Sequence, residues 1–148
     1  MVAAAMMILV AAAAASERPA FVVQAPDSPV RIERAVILAA SEGPPVILYS
    51  ASNATDAEVD TFTVMVFVFD EKGTLKARQT APARRTLDPR ATKHSTLVLD
   101  GQPLGPGDLV VIGVNQSQRS ESDAWWRADL QAAALAEIKK ALAAAPPK

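Results

Sequence analysis

The chain has 148 residues, 15 basic and 16 acidic side chains, a formal net charge of −1, one histidine and no cysteine. So even a balance gives no field that recruits nucleic acid or an anionic membrane. The missing thiols exclude a disulfide framework, a thiol nucleophile and cysteine-ligated zinc or iron–sulfur centres.

Val2 to Ala15 is apolar throughout and ends in small residues, and Glu17, Arg18 and Pro19 follow. That order reads as a secretory leader, with cleavage expected after Ala15 on the pattern of Ala13 and Ala15. No Lys or Arg precedes the apolar run. An uncleaved membrane-associated segment and a buried N-terminal helix are the rival readings. The run has fourteen residues. As a helix it reaches about 21 Å, short of the roughly 30 Å hydrocarbon core, so the mature chain is expected to carry no transmembrane segment. The expected division is a signal peptide at 1–15, one β domain at 16–122 and a helical tail at 123–148. The expected location is periplasmic or extracellular.

Prolines punctuate the middle and fall between apolar runs, which marks strand boundaries. Phe21–Gln24 is the first predicted strand. Val30–Leu38 is the second, with Val30, Ile32, Val36 and Leu38 in phase. The Glu42–Pro45 turn leads to a third at Val46–Asn53. Val59–Phe69 is the longest. Phe62, Val64, Val66 and Val68 face one way; Thr61, Thr63, Met65, Phe67 and Phe69 face the other. Both faces are largely apolar, so this strand is expected to be central and covered on both sides. Asp70–Gly73 is a hairpin turn with Gly73 at a positive-φ position, and Thr74–Thr80 returns. Thr92–Asp100 and Leu109–Ser117 complete about seven strands.

No helix lies between successive strands, so a parallel βαβ sheet is disfavoured. The predicted fold is mainly β: an immunoglobulin-like antiparallel β-sandwich with a C-terminal α-helix, and a barrel as the alternative. From Asp123 the period becomes helical. Trp126, Leu130, Ala134, Ile138 and Leu142 recur every four residues, with Asp123 as N-cap. The expected Ala124–Ala144 helix should pack on the sandwich.

Ser50–Asp56, then Val64–Gly73, then Leu87-Asp88-Pro89 resemble the exported bacterial FxLYD-type immunoglobulin-like domains. There a strand ends in Asn before a polar turn, a long strand runs into an Asp-x-x-Gly hairpin, and a Leu-x-Pro turn precedes the next strand. The resemblance covers about Val46 to Leu99. The signature tetrapeptide is absent, with Ile47-Leu48-Tyr49-Ser50 as a loose counterpart. The resemblance implies a sandwich and carries over no catalytic residue.

Chemistry-bearing residues are sparse. His94 has no partner motif, and no serine occupies a Gly-x-Ser-x-Gly elbow. Asp56, Glu58 and Asp60 alternate in a loop where calcium would need further ligands. No catalytic, cofactor-binding or metal site is expected. Four residues are candidate partner contacts: Arg84 and Arg85 in a basic stretch expected to be a loop between strands, and Trp125 and Trp126, aromatics that stack on a sugar, anchor a partner or plug the sandwich end. Two sequons begin at Asn53 and Asn115. The expected function is a non-enzymatic binding or structural module of the cell envelope, its partner another envelope protein. The alternatives are an assembly factor that offers a sheet edge and a hydrolase with a non-standard site.

Overall fold

The computed structural model describes residues 16–39, 42–101, 103–120 and 123–145. The leader expected at 1–15 lies outside them. Ten strands and one helix follow in order: β1 (Ser16–Pro19), β2 (Phe21–Val23), β3 (Val30–Ala39), β4 (Val46–Asn53), β5 (Val59–Phe69), β6 (Leu75–Thr80), β7 (Arg84–Leu87), β8 (Thr92–Val98), β9 (Leu109–Ser120), β10 (Asp123–Trp126) and α1 (Leu130–Ala144). The described residues are mainly β, as predicted, with ten strands among them where about seven were expected. A four-stranded sheet runs β1-β3-β4-β8. A six-stranded sheet runs β10-β9-β5-β6, with β7 also on β5 and β2 also on β9. Taking β3, β4, β5, β6, β8, β9 and β10 as strands A, B, C, C′, E, F and G, the sheets read A-B-E and G-F-C-C′, an immunoglobulin-type sandwich. One pairing departs from the antiparallel expectation: β2 runs parallel to β9. The chain leaves the edge of one sheet at Pro19 and joins the other at Phe21.

The alternation along β5 decides the layering. Phe62, Val64, Val66 and Val68 point between the sheets and pack with Ile37, Ile47, Leu97 and Ile112. Phe67 and Phe69 point to the opposite side and pack with Val111 under the helix residues Leu130, Ala134 and Ile138. The Phe67–Phe69 end of β5 is therefore covered on both faces, as its composition predicts, while the outward positions Thr61 and Thr63 lie outside both apolar clusters. The helix lies on the outer side of the six-stranded sheet, so the β9–β5 part of the molecule has three layers. Gly113 makes the close approach possible: a Cβ there would sit 2.7 Å from Leu130 Cδ1 and 3.1 Å from the Val23 carbonyl oxygen.

Three sequence expectations are corrected. β3 does not keep one phase. A bulge between Ile32 and Arg34 flips its alternation, so Ala35 and Ile37 join Val30 and Ile32 inside while Val36 and Leu38 turn outward. Residues 123–126 are strand, not helix. Trp126 fits the four-residue period of the helix, but β10 pairs with β9, and the Arg127 amide donates to the Asn115 carbonyl at 3.0 Å. The helix starts at Leu130 with Asp129 as N-cap in place of Asp123. The basic stretch around Arg84 and Arg85 is strand β7 on β5, not a loop.

Candidate functional site

The four candidate contacts divide by parity. The registers align Arg84, Phe62, Ser117 and Trp125 in one row across the six-stranded sheet, and Arg85, Thr61, Gln118 and Ala124 in the next. Phe62 is buried between the sheets, so the first row belongs to the inner face. Trp125 packs there against the core, and its Nε1–H donates to Asp27 Oδ2 at 3.0 Å. That is the plug expected of one tryptophan. Arg85 and Trp126 belong to the outer face. Sequence reasoning grouped the four; the sheet places two on each side.

The outer face of the six-stranded sheet changes character along its strands. At one end Phe67, Phe69, Val111 and Gly113 lie under α1, with Met65, Leu109, Phe21 and Val23 at its margin. Beyond a bulge at Asn115 the outward positions are Thr63 and Gln116, then Thr61 and Gln118. Trp126 pairs with Gln116 and is 70 % exposed. The Thr63 hydroxyl donates to Asn115 Oδ1, which fixes the bulge. A single exposed indole thus stands beside two rows of uncharged hydrogen-bonding side chains. At about 4.8 Å between strands and about 6.6 Å between alternate residues, the rows cover about 14 by 7 Å at the backbone level. Arg85 closes one end. Residue type pointed to Trp126 and Arg85. Gln116, Gln118, Thr61 and Thr63 carry no motif, and only the four-strand register brings them together.

A groove of about 610 Å³ lies on the outer face of the four-stranded sheet, floored by Val36, Leu38 and Leu48 and containing His94. Ser50 sits directly across from His94 in the register. No hydrogen bond joins them among the described residues. The groove's carboxylate, Glu17, pairs instead with Arg34 at 3.6 Å. Glu17 aligns with Leu38, Val46 and Val98, whereas His94 aligns with Ser50 and Arg34. Three strand spacings and four residues separate the two backbones by about 20 Å. A base held by an acid beside an activated serine is thus not assembled here. At the groove's edge burial pushes the Tyr49 phenol above its ordinary value, against the opposing pull of the Ser95 hydroxyl and the Arg84 charge. Ser95 Oγ lies near enough to act on Tyr49 yet makes no well-aligned hydrogen bond.

A narrower crevice of about 380 Å³ enters the core between β6 and the Leu99–Asp108 connection, over Val66, Val68 and Leu104. Its polar rim is internally satisfied. Lys76 bonds buried Asp108, which also accepts from the Gly105 amide at 2.8 Å. Gln79 donates to the Val98 carbonyl and accepts from the Asp100 amide, both at 2.9 Å.

The acidic loop does not gather oxygens around one point. Asp56 pairs with Arg90 at 2.9 Å, and this contact holds its carboxyl below the ordinary range. Among the described residues no group of three or more His, Cys, Asp or Glu side chains is placed to hold a metal ion. Asn53 is buried and fully engaged: its amide donates to the Ala57 and Leu87 carbonyls, and its oxygen accepts from the Thr55 amide and hydroxyl. That sequon is a loop brace whose nitrogen is not free to carry a glycan. Among the described residues no helix is long and apolar enough to cross a membrane.

The edges of both sheets carry features that discourage further pairing. β1 and β10 have four residues each, and β1 ends in Pro19. β6 is bulged at Lys76 and followed by Pro82. β8 carries Lys93, whose Nζ donates to the Arg85 and Thr86 carbonyls at 2.6 and 3.0 Å. Comparison with family models, curated proteins and solved structures returns no match.

Proposed function

We propose that this chain is a non-enzymatic, exported binding module of the cell envelope that works through a sheet face. The observation that carries the reading is Trp126, 70 % exposed on the outer half-face that α1 leaves open. An exposed large aromatic is where binding energy concentrates when a partner covers it. Export rests on the leader-like order of residues 1–15, and the likeness to exported FxLYD-type domains agrees with it. The guarded edges weigh against the strand-pairing alternative. The separation of His94 from Glu17 weighs against a hydrolase.

Co-sedimentation of the purified chain with isolated envelope fractions tests the proposal. The expected result is sedimentation that Trp126→Ala abolishes while the melting temperature stays unchanged. Failure to sediment with any envelope fraction would remove the reading.

A further inference from the structure

We infer that the open half-face takes a glycan strand, with Trp126 as the stacking platform and Gln116, Gln118, Thr61 and Thr63 as its hydrogen-bonding floor. This inference rests on the binding-module reading and names the ligand class of that same face.

Four properties of the face lead there. Its aromatic is solitary. Trp126 pairs with Gln116, the nearest outward residue on its own strand is Ala124, and the apolar Met65 and Val23 lie only on the helix side, so no closed ring of apolar side chains surrounds the indole. A protein hot spot is typically walled by such neighbours, which keep water out. A pyranose ring needs no such wall: its C–H face lies on an indole while its hydroxyls remain at the rim. Next, the flanking groups are uncharged. The two amides and the Thr61 hydroxyl can each donate and accept, and Thr63, whose proton is given to Asn115, can still accept, matching sugar hydroxyls that do both. A charged partner would call for ion-pairing groups; the face has Arg85 at its far end and no carboxylate in either row.

Third, the face is open. Trp126 is 70 % exposed and Gln116 beside it is exposed. An open sheet surface about 14 Å long suits several units of a chain and not an enclosed small molecule. Last, the platform is rigid. Trp126 stands on a strand paired to β9, its neighbour Trp125 is tied to Asp27, and the Asn115 bulge is locked by Thr63. A platform ordered before binding spares the ligand the entropy of ordering it.

Titration with neutral N-acetylglucosamine oligomers and with cello-oligosaccharides, followed by tryptophan fluorescence and by calorimetry, tests the inference. Saturable binding is expected for at least one series, tightening as the oligomer lengthens. Trp126→Ala should weaken it about tenfold or more, as loss of a central aromatic contact does. Gln116→Ala and Gln118→Ala should each weaken it severalfold without moving the melting temperature. Binding that is absent for both series, or equal in Trp126→Ala, overturns the inference. If the chain still sediments with envelope fractions in a Trp126-dependent way, the binding module stands and its ligand is not a glycan. If that too is absent, the underlying reading falls with it.

Discussion

The two halves of one sheet face differ more than the two sheets do. On the outer side of β5 and β9, Phe67, Phe69 and Val111 lie under the helix, all with 1 % exposure or less. A few residues along the same strands the outward positions are Thr61, Thr63, Gln116 and Gln118, of which Gln116 is exposed and the other three are half-buried, and α1 does not reach over them. The helix cannot extend over that half, because the chain that would form its first turns is β10 at the sheet's edge. The sequence adapts to both fates. Apolar side chains appear where α1 excludes water, and hydroxyls and amides where it does not. Trp126 breaks this rule, and so the open half reads as a surface for contact.

The largest test of the comparison removes an aromatic from the covered half. Phe67 is 1 % exposed and sits between β9 and α1. Phe67→Ala should cost about 3–5 kcal/mol, the usual loss for a buried phenylalanine with its cavity. Thr63→Ala, four residues away on the same face, should cost far less, since a partly exposed threonine buries little. Paired denaturant titrations measure both. Equal losses would mean that the helix does not seal the covered half.

Much of this face was legible in the sequence. The outward series Thr61, Thr63, Met65, Phe67, Phe69 already changes from polar to apolar along β5, and a two-residue period shows it without a structure. The matching change on β9 was hidden by the bulge at Asn115, which moves Gln116 and Gln118 to the face that Val111 and Gly113 share. The same kind of bulge at Glu33 defeated the phase expected for β3. A bulge is a one-residue event in pairing, and residue type alone does not announce it. β10 was lost for another reason. Trp126 stands four residues before Leu130, so the helical period extends backward into it, and pairing with β9 overrides that local preference. The site residues missed, Gln116 and Gln118, are ordinary surface types whose meaning lies in their row.

The next test narrows the gap between the covered half and its helix. Gly113→Ala would put a methyl group 2.7 Å from Leu130 Cδ1 and 3.1 Å from the Val23 carbonyl. Leu130 is buried and the carbonyl belongs to β2, so the helix must lift or tilt. A loss of about 1–3 kcal/mol is expected, the range for overpacking a filled core. Far-ultraviolet circular dichroism should show that helix content survives. An unchanged denaturation midpoint would mean that α1 rides above the sheet without close contact.

A smaller effect concerns the turn that leads from the covered end of β5. Asp70 Oδ1 accepts from the Thr74 and Lys72 amides, each at 2.9 Å. The Thr74 contact is the chief cause that holds its carboxyl below the ordinary range, and the Lys72 amide adds to it. A carboxylate lowered in the folded state adds stability above its unfolded pKa of about 4, and that stability is lost as pH falls through the lowered folded value. Asp70 is only partly covered, so the effect is modest and screened by salt. Asp70→Asn keeps an acceptor for both amides but removes the titration. The two proteins should differ in melting temperature at neutral pH and converge as pH falls below the carboxylate range. A difference that persists in acid would assign the effect to the turn's geometry and not to its charge.

The smallest stability effect is the sharpest for the comparison, because it sets two adjacent tryptophans against each other. Trp125 points inward, packs on the core and donates to Asp27. Trp126 points outward and gives 70 % of its surface to water. Trp125→Ala should therefore lower stability by one to several kcal/mol, less than the about 3–5 kcal/mol of a fully buried ring. Trp126→Ala should stay within about 0.5 kcal/mol of the parent, as exposed substitutions do. The spectroscopic order should be the same. Acrylamide should quench Trp126 readily and Trp125 poorly, which the two single-tryptophan variants, Trp125→Phe and Trp126→Phe, separate. Envelope sedimentation should follow the reverse order, unaffected by Trp125→Phe and abolished by Trp126→Ala. A protein in which Trp126 proves both dispensable for binding and important for stability would have its indole covered by its own chain, and the open half-face would not exist.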